Sequence, residues 1–339
     1  MATMANVRGK RKKPAVTPEA GPESSVRRED ALVTIVSPET ATAIEAFLVG
    51  GKGWRRRTRR PPSFGDEHET YVTMGEPGED LQGADEERAW KQVLALDDET
   101  ALAFVYAAAR YLAINKDPNT VRPATIHVNE FLEYQGHTRQ TRGDFKTTAK
   151  HEVRRRFAAL ARVYVVRRIG RARRNPTFET SQLVTVTTRS QGSDGSAPLP
   201  YLEEPTIGVP YEFDVQLGSW AKTYVERDER HTMLASILRY EPSKRVERIA
   251  MRLGLYLHFK PSRITSVAGL LDGAHIERPT HHFEKFRDDF EAALDRLQSD
   301  HIIGRWAYSK DSELPIRSWF ERWLEWELTI SEGATLLKA

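Results

Sequence analysis

The sequence contains no cysteine in 339 residues. Disulfide bonds and thiolate-ligated metal sites are therefore excluded. Long apolar runs are also missing: the longest, Ala101 to Ile114, is interrupted by Arg110 and falls short of the roughly 20 residues that a membrane-spanning helix needs. No apolar segment follows the first basic residues, as a secretory signal would require. These absences predict a protein of the cytoplasm without membrane contact.

Signature motifs of several enzyme classes are absent as well. The nearest glycine cluster, VGGKGW at residues 49 to 54, is not a GxxxxGK[ST] phosphate-binding loop. His281 and His282 are adjacent, whereas the metal site of rolling-circle nickases needs two histidines separated by one apolar residue. Neither HExxH nor GxSxG occurs. We expect no enzymatic activity, no metal and no cofactor.

Charge, in contrast, is abundant and strongly segregated along the chain. The net charge is only +3, because two opposite blocks nearly cancel. Residues 1–62 carry 13 Lys/Arg against 6 Asp/Glu, and residues 66–100 carry 2 against 12. Residues 125–174 carry 13 against 4, a balance of +9. That local density is typical of a surface that neutralises phosphates.

The most basic stretch, residues 139–188, has the pattern of a helix followed by a β-hairpin. Its apolar residues recur at helical spacing: Phe145, Ala149, Val153, Phe157 and Leu160. A cationic stripe is predicted about 100° around the same helix: Arg142, Lys146, Lys150 and Arg154. Residues 163–169 and 178–188 then read as two strands joined by an arginine-rich turn at 170–176. This order is that of a winged helix-turn-helix.

The hydrophobic spacing of this region occurs twice. Five positions of a first helix reappear 144 residues later: Leu102, Val105, Tyr106, Ala109 and Ala113 correspond to Val246, Ile249, Ala250, Leu253 and Leu257. The long third helix reappears 137 residues later: Ala149, Val153, Phe157 and Leu160 correspond to Phe286, Phe290, Leu294 and Leu297. The spacing predicts a duplicated domain, with loop lengths accounting for the changing shift.

The chain resembles the tandem winged-helix plasmid replication initiators, the Rep proteins that bind iteron repeats at an origin. The resemblance covers about residues 95–330 and rests on three stretches: ALAFVYAAARYLAI, FKTTAKHEVRRRFAALARVYVVRR, and FRDDFEAALDRLQSDHIIGRWAY ahead of WLEWELTIS. It implies sequence-specific binding of direct repeats in double-stranded DNA, origin opening, and recruitment of a host initiator and the replicative helicase. Members of this family typically shift between a repressing homodimer and an origin-binding monomer.

The fold class that follows is α+β, mainly helical, with two tandem winged helix-turn-helix domains behind a basic, disordered N-terminal arm. The predicted divisions are a flexible arm with one short helix (1–65), an acidic lead-in (66–98), domain 1 (99–189), a linker (190–210), domain 2 (211–330) and a tail (331–339). Within the arm, WRRRTRRPP from Trp54 to Pro62 suits phosphates or a minor groove, but equally a solvated linker. The acidic lead-in either shields the basic surface or contacts a partner.

The predicted DNA contacts fall into three groups. Base readout is assigned to the long helix of domain 1, with flanking phosphate contacts: Arg139, Arg142, Lys146, Lys150, Arg154 and Arg155. Contacts with the phosphate backbone of the DNA are assigned to the wing: Arg167, Arg168, Arg171, Arg173 and Arg174. Domain 2 departs from the family, because residues 278–300 carry 4 Lys/Arg against 6 Asp/Glu. It touches DNA only through Arg278, His282 and Lys285, or serves mainly for dimerisation.

Two other classes remain open. A winged-helix transcriptional regulator or a partition-type DNA-binding protein would use the same modules without opening an origin. A DNA-nicking enzyme is the less favoured alternative, because the metal ligands it needs are not evident.

Overall fold

Short strands alternate with helices along the chain, and an apolar core runs through both halves. The computed structural model describes residues 31–56, 59, 70–75, 82–117, 121–141, 143–169, 177–189, 196–198, 212–227, 230–259, 264–309 and 318–333. The fold of these residues is α+β and mainly helical. None of the helices in this part of the chain combines the length and the apolar composition that crossing a bilayer requires.

The helices are α1 (Pro38–Val49), α2 (Ala84–Leu94), α3 (Asp98–Ile114), α4 (Val128–Tyr134), α5 (Thr147–Leu160), α6 (Lys222–Glu226), α7 (Arg245–Phe259), α8 (Val267–Gly273), α9 (Phe283–Ser299) and α10 (Trp319–Leu324). The strands are β1 (Ala31–Thr34), β2 (Thr70–Met74), β3 (Ala124–His127), β4 (Val163–Ile169), β5 (Thr177–Gln182), β6 (Val184–Arg189), β7 (Ser196–Pro198), β8 (Glu212–Leu217), β9 (His231–Leu234), β10 (Ile264–Ser266), β11 (Ile303–Tyr308) and β12 (Glu327–Glu332).

The first unit is built around α3, which is almost entirely buried. A capping box between Asp97 and Thr100 starts the helix, which satisfies amide groups that would otherwise have no partner. Helix α3 packs against α1 and α5, and α5 also packs against α4. The predicted acidic lead-in belongs to this unit, since β2 pairs with β4 and α2 lies against α5.

The second strand of the predicted wing is split between two sheets. Its first half, β5, pairs with β4 in the order β2-β4-β5, whereas its second half, β6, joins the order β3-β8-β6-β7. The break falls at Leu183, which is fully buried. Its N–H donates to Val163 O at 2.7 Å, and its carbonyl accepts from Trp220 Nε1 at 3.0 Å. The predicted hairpin is therefore present as β4 and β5, and its extension to residue 188 was wrong.

The second unit runs α7, β10, α8, α9, β11, α10, β12, and its sheet has the order β10-β12-β11. Helices α7 and α9 pack against each other. Trp323 is fully buried against the rings of Phe286 and Phe290. Trp323 is therefore a packing residue of this unit.

The predicted N-terminal arm contains a folded part of the core. Strand β1 pairs antiparallel with β9, and α1 packs against both α3 of the first unit and α7 of the second. Ile44, Phe47 and Leu48 are buried, because the predicted short apolar face finds a partner on each side. The flexible arm over 1–65 was therefore wrong for the residues from 31 to 54. Residues 1–30 lie outside the described part of the chain.

A buried ion cluster joins the two units directly. Asp98, in the first turn of α3, accepts from Nε of Arg248 at 2.6 Å and from Nε of Arg252 at 2.8 Å. Arg252 is itself buried and also donates to the carbonyl of His275. Two arginines of α7 thus attach this helix to α3.

Candidate nucleic-acid interface

The solvent-facing side of α5 is a polar stripe directly opposite its buried side. Thr148, His151, Glu152 and Arg155 follow the i, i+3, i+4, i+7 spacing of a single helix face. Thr148 and Arg155 are exposed, whereas His151 and Glu152 are half-buried. At 100° per residue these side chains lie about 160° to 260° from Val153, which is fully buried. These side chains are therefore the ones that α5 presents outward.

The cationic stripe predicted for α5 is displaced from this face. Lys150 is 8% exposed and Arg154 only 1% exposed. Because α5 packs against α2, α3, α4 and β6, its buried arc is wider than the apolar residues alone indicate, and it includes these two side chains. The predictions that Lys150 and Arg154 contact DNA were therefore wrong. Lys146 and Arg155 are exposed, as a DNA contact requires.

The turn that leads into α5 is held by its own charged residues. Lys150 Nζ donates to Asp144 Oδ2 at 2.6 Å, and Asp144 also accepts from the N–H of Phe145 at 2.8 Å. These hydrogen bonds hold the pKa of Asp144 below its usual value. Arg139 donates to Glu133 and to the carbonyl of Gly143 at 2.9 Å. Arg139, predicted to read bases, is thus a brace of this turn, although it remains exposed.

The N-terminus of α5 has an anion-binding character. Lys146 occupies the N-cap position, and no side chain caps the helix. The first backbone N–H groups of a helix have no partner within it, and the helix dipole favours a negative charge at this end. Thr147 and Thr148 are exposed beside these groups. This end of α5 could hold a phosphate.

The arginines that follow on α5 differ from each other. Arg155 is exposed, and its guanidinium contacts Glu152 at 2.6 Å. Arg156 is buried and pairs with Glu99 at 2.6 Å. Burial raises the pKa of Glu99, and the charge of Arg156 opposes this rise. Arg155 therefore belongs to the outward surface, whereas Arg156 attaches α5 to α3.

The predicted wing contacts are only partly described. Arg167 donates through Nε to Glu179 at 2.5 Å, and its Nη1 lies 3.6 Å from the buried carboxylate of Glu39. Arg167 therefore balances internal charge, and its contact with the DNA backbone stays a prediction. Arg168 is half-exposed. Four further predicted contacts lie outside the described residues: Arg142, Arg171, Arg173 and Arg174.

In the second unit each predicted contact has different surroundings. Arg278 donates to Asp272 at 2.6 Å. His282 is exposed at the N-cap of α9 with a φ of 58°, and it makes no side-chain cap. Lys285 is exposed and lines a groove of about 490 Å³ between α7 and α9, beside Asp289 and Arg296. This groove carries charges of both signs.

Acidic side chains of α9 are used to hold the adjacent strand. Trp306 Nε1 donates to Asp295 at 3.0 Å, and Tyr308 OH donates to Glu291 at 2.9 Å. Two of the acidic residues that the sequence shows in this helix therefore attach β11 to α9.

Sequence reasoning missed Thr148 and His151, because it sought positive charge. The available signal was the position opposite Val153 on a helical wheel, which marks exposed residues of any type. Threonine and histidine carry hydrogen-bonding groups that can contact base edges or phosphates as well as charged residues do.

No family model matches the sequence, and no curated protein matches it. Solved structures of domains 2 and 3 of RctB are similar to the chain. One shows 12% identity and a TM-score of 0.44, covering 89% of this chain and 100% of that one. A second shows 11% identity and a TM-score of 0.41, covering 82% and 95%. Because TM-scores below 0.5 do not establish a common fold, the properties of the site rest on its own geometry.

Proposed function

We propose that the protein binds double-stranded DNA in a sequence-specific manner through the outward face of α5. The observation that carries this proposal is the combination, on one helix, of an uncapped N-terminus with exposed Lys146, Thr148 and Arg155. Such a helix can enter a major groove, where arginine pairs with guanine and hydroxyl groups contact either bases or phosphates. No cofactor and no catalytic group is needed for this activity.

We further propose that both units are winged helix-turn-helix domains. Support comes from the repeated element order: α3, β3, α4, α5, β4 in the first unit and α7, β10, α8, α9, β11 in the second. In the second unit the sheet order β10-β12-β11 places the last strand between the other two, as the wing strand of this motif does. The first unit differs, because β8 takes the central position beside β3.

The biological role we propose is replication initiation at plasmid origin repeats, with host initiator and helicase as partners and with a possible homodimer. The proposal rests on the residues of α5 and on the repeated element order, not on the likeness to the RctB domains. The second unit would contribute through Lys285 and His282, or through contacts between copies. The cytoplasm, where plasmid DNA resides, would be the place of action.

The recognised sequence can be obtained by selecting duplexes from a random pool with the full chain. On the selected duplex, Arg155→Ala and Thr148→Ala should each weaken binding by about 1 to 3 kcal/mol, because each would remove a base contact. Fluorescence anisotropy at fixed salt measures the change. Lys222→Ala, which removes an exposed cation from α6, is the control and should leave the affinity unchanged. Wild-type affinity in both α5 variants would contradict the proposal.

The same duplex distinguishes the alternative roles. An initiator should make thymines near the selected site, cloned in a supercoiled plasmid, reactive to permanganate, because it opens the duplex. A transcriptional regulator or partition protein would protect the site without opening it. Relaxation of the plasmid in Mg²⁺ would instead reveal a nicking enzyme.

A further inference from the structure

A short arginine-containing segment leaves α1 in a fixed position. Trp54 is buried, and its Nε1 donates to the carbonyl of Ala46 on α1 at 3.3 Å. The next two residues, Arg55 and Arg56, are exposed. A buried tryptophan thus anchors the point from which these two cations project into solvent.

The segment is also held at two other points, Gly51 and Arg59. Gly51 donates its N–H to the carbonyl of Leu96 at 2.9 Å, and a Cβ at this glycine would lie 2.2 Å from the carbonyl oxygen of Val93. Only glycine allows so close a contact with α2. Further on, the carbonyl of Arg59 accepts from the N–H of Met74 at 3.3 Å. We call Arg55, Arg56 and Arg59 the arginine stem.

The arginine stem lies near the C-terminal end of α5. Met74 pairs with Val163, and the next residue, Gly75, donates its N–H to the carbonyl of Arg162 at 2.8 Å. From Lys146 to Arg162 the chain spans 16 residues, or roughly 24 Å at 1.5 Å per residue. A major groove is about 12 Å wide. A cation at this distance from the N-terminus of α5 would meet phosphates beyond the groove that the helix enters.

An acidic side chain of α2 faces the arginine stem. Arg56 Nε lies 3.7 Å from Glu86 Oε1, and the two side chains are 63% and 40% exposed. Exposed pairs of this kind contribute little to stability, so the contact can be exchanged for another anion at small cost. Asp85 and Glu87 belong to the same first turn of α2. This turn therefore places carboxylates where a phosphate would otherwise sit.

We propose that the arginine stem binds the DNA phosphate backbone beside the groove occupied by α5, and that Glu86 competes with the phosphate for Arg56. This inference rests on the proposed DNA binding. The contact adds affinity without sequence preference, because phosphates carry no sequence information. Glu86 weakens non-specific binding, since every duplex must displace it.

Two matched pairs of variants of the full chain test the inference. Arg56→Ala is paired with Lys222→Ala, because Lys222 is 72% exposed and also lies 3.8 Å from one carboxylate, Glu226. Glu86→Gln is paired with Glu226→Gln. Anisotropy is measured over a range of salt concentrations with the selected duplex and with a scrambled duplex of equal length. The slope of log K against log salt counts the phosphate contacts.

Arg56→Ala should make the slope of log K against log salt less steep by about 0.9. It should weaken the binding of both duplexes by the same factor. Glu86→Gln should tighten both duplexes, and the two control variants should match the wild type. A wild-type slope in Arg56→Ala, with discrimination between the duplexes retained, would overturn the inference and leave the proposed function intact. Equal wild-type affinity for both duplexes, with the lowered slope, would support the arginine stem and contradict sequence-specific recognition. A wild type without salt-dependent binding would overturn both.

Discussion

At the scale of single residues, burial separates arginines of the same sequence region into different roles. Arg154 and Arg155 are neighbours in the chain, yet the first is buried and the second is exposed. Sequence reasoning predicted the buried apolar face of α5 correctly, including Val153 and Phe157. It could not predict Arg154, because the width of the buried arc depends on how many elements pack around the helix. The pattern of positive charge therefore identified the correct helix but assigned the wrong side of it to the solvent.

Removal of the Asp98 carboxylate should lower the free energy of unfolding strongly. Asp98→Ala would leave Arg252 buried without its carboxylate, and breaking a buried pair from one side costs about 3 to 5 kcal/mol. Urea denaturation followed by tryptophan fluorescence measures the loss. Asp85→Ala, which removes an exposed carboxylate from α2, serves as the control. A change below about 0.5 kcal/mol, the range of ordinary surface substitutions, would refute a structural role for this cluster.

At the scale of elements, local patterns predicted helices better than strand partners. The apolar repeats placed α3, α5, α7 and α9, because helical spacing is a property of the segment itself. The split at Leu183 was missed, since it depends on Trp220, which is 37 residues away. The pairing of β1 with β9 was missed for the same reason. Strand pairing is a non-local choice that a short window of sequence does not contain.

The placement of α1 in the core leads to a prediction about the segment first interpreted as an arm. Phe47 is fully buried and contacts the ring of Phe104 with 6.0 Å between centroids. Phe47→Ala should therefore lower the free energy of unfolding by about 3 to 5 kcal/mol. Leu94→Ala, at an exposed leucine, is the control. If the two variants unfold at the same urea concentration as the wild type, α1 is not part of the core.

At the scale of the whole molecule, the N-terminal segment connects the two units. Glu45 of α1 lies 3.4 Å from His275 Nε2, and Tyr224 OH donates to Glu39 at 2.9 Å. Thr34 of β1 and His258 of α7 share a hydrogen bond of 2.8 Å. These contacts, together with the cluster at Asp98, fix the position of α5 relative to α9. The repeat predicted the two units, but not the segment that joins them.

His258 should make this connection sensitive to acid. Burial, with a smaller contribution from the charge of neighbouring His231, lowers the pKa of His258 to about 4. The folded protein therefore holds this ring neutral at a pH where the unfolded chain, with a pKa near 6.5, already binds a proton. Above pH 6.5 both states hold the histidine neutral, and it takes nothing from the free energy of unfolding. As the pH falls towards 4, the unfolded chain binds a proton that the folded protein does not, and the free energy of unfolding decreases.

The free energy of unfolding, measured by urea titration between pH 7 and pH 4, should decrease by up to about 3 kcal/mol from this histidine. His258→Asn should remove that part of the pH dependence, whereas His282→Asn, at an exposed position, should not. Identical pH profiles for the wild type and His258→Asn would contradict the prediction.

The pairing of residues 31–34 with residues 231–234 also sets an order of events during synthesis. Helix α1 leaves the ribosome early, but its partner α7 is translated about 200 residues later. Helix α3, which covers Phe47 through Phe104, is translated much sooner. At roughly 5 to 20 residues per second, the side of α1 that packs against α7 waits on the order of 10 to 40 seconds before it can be covered. The nascent chain thus carries a half-covered helix through most of its translation, and chaperones that bind such segments would meet it there.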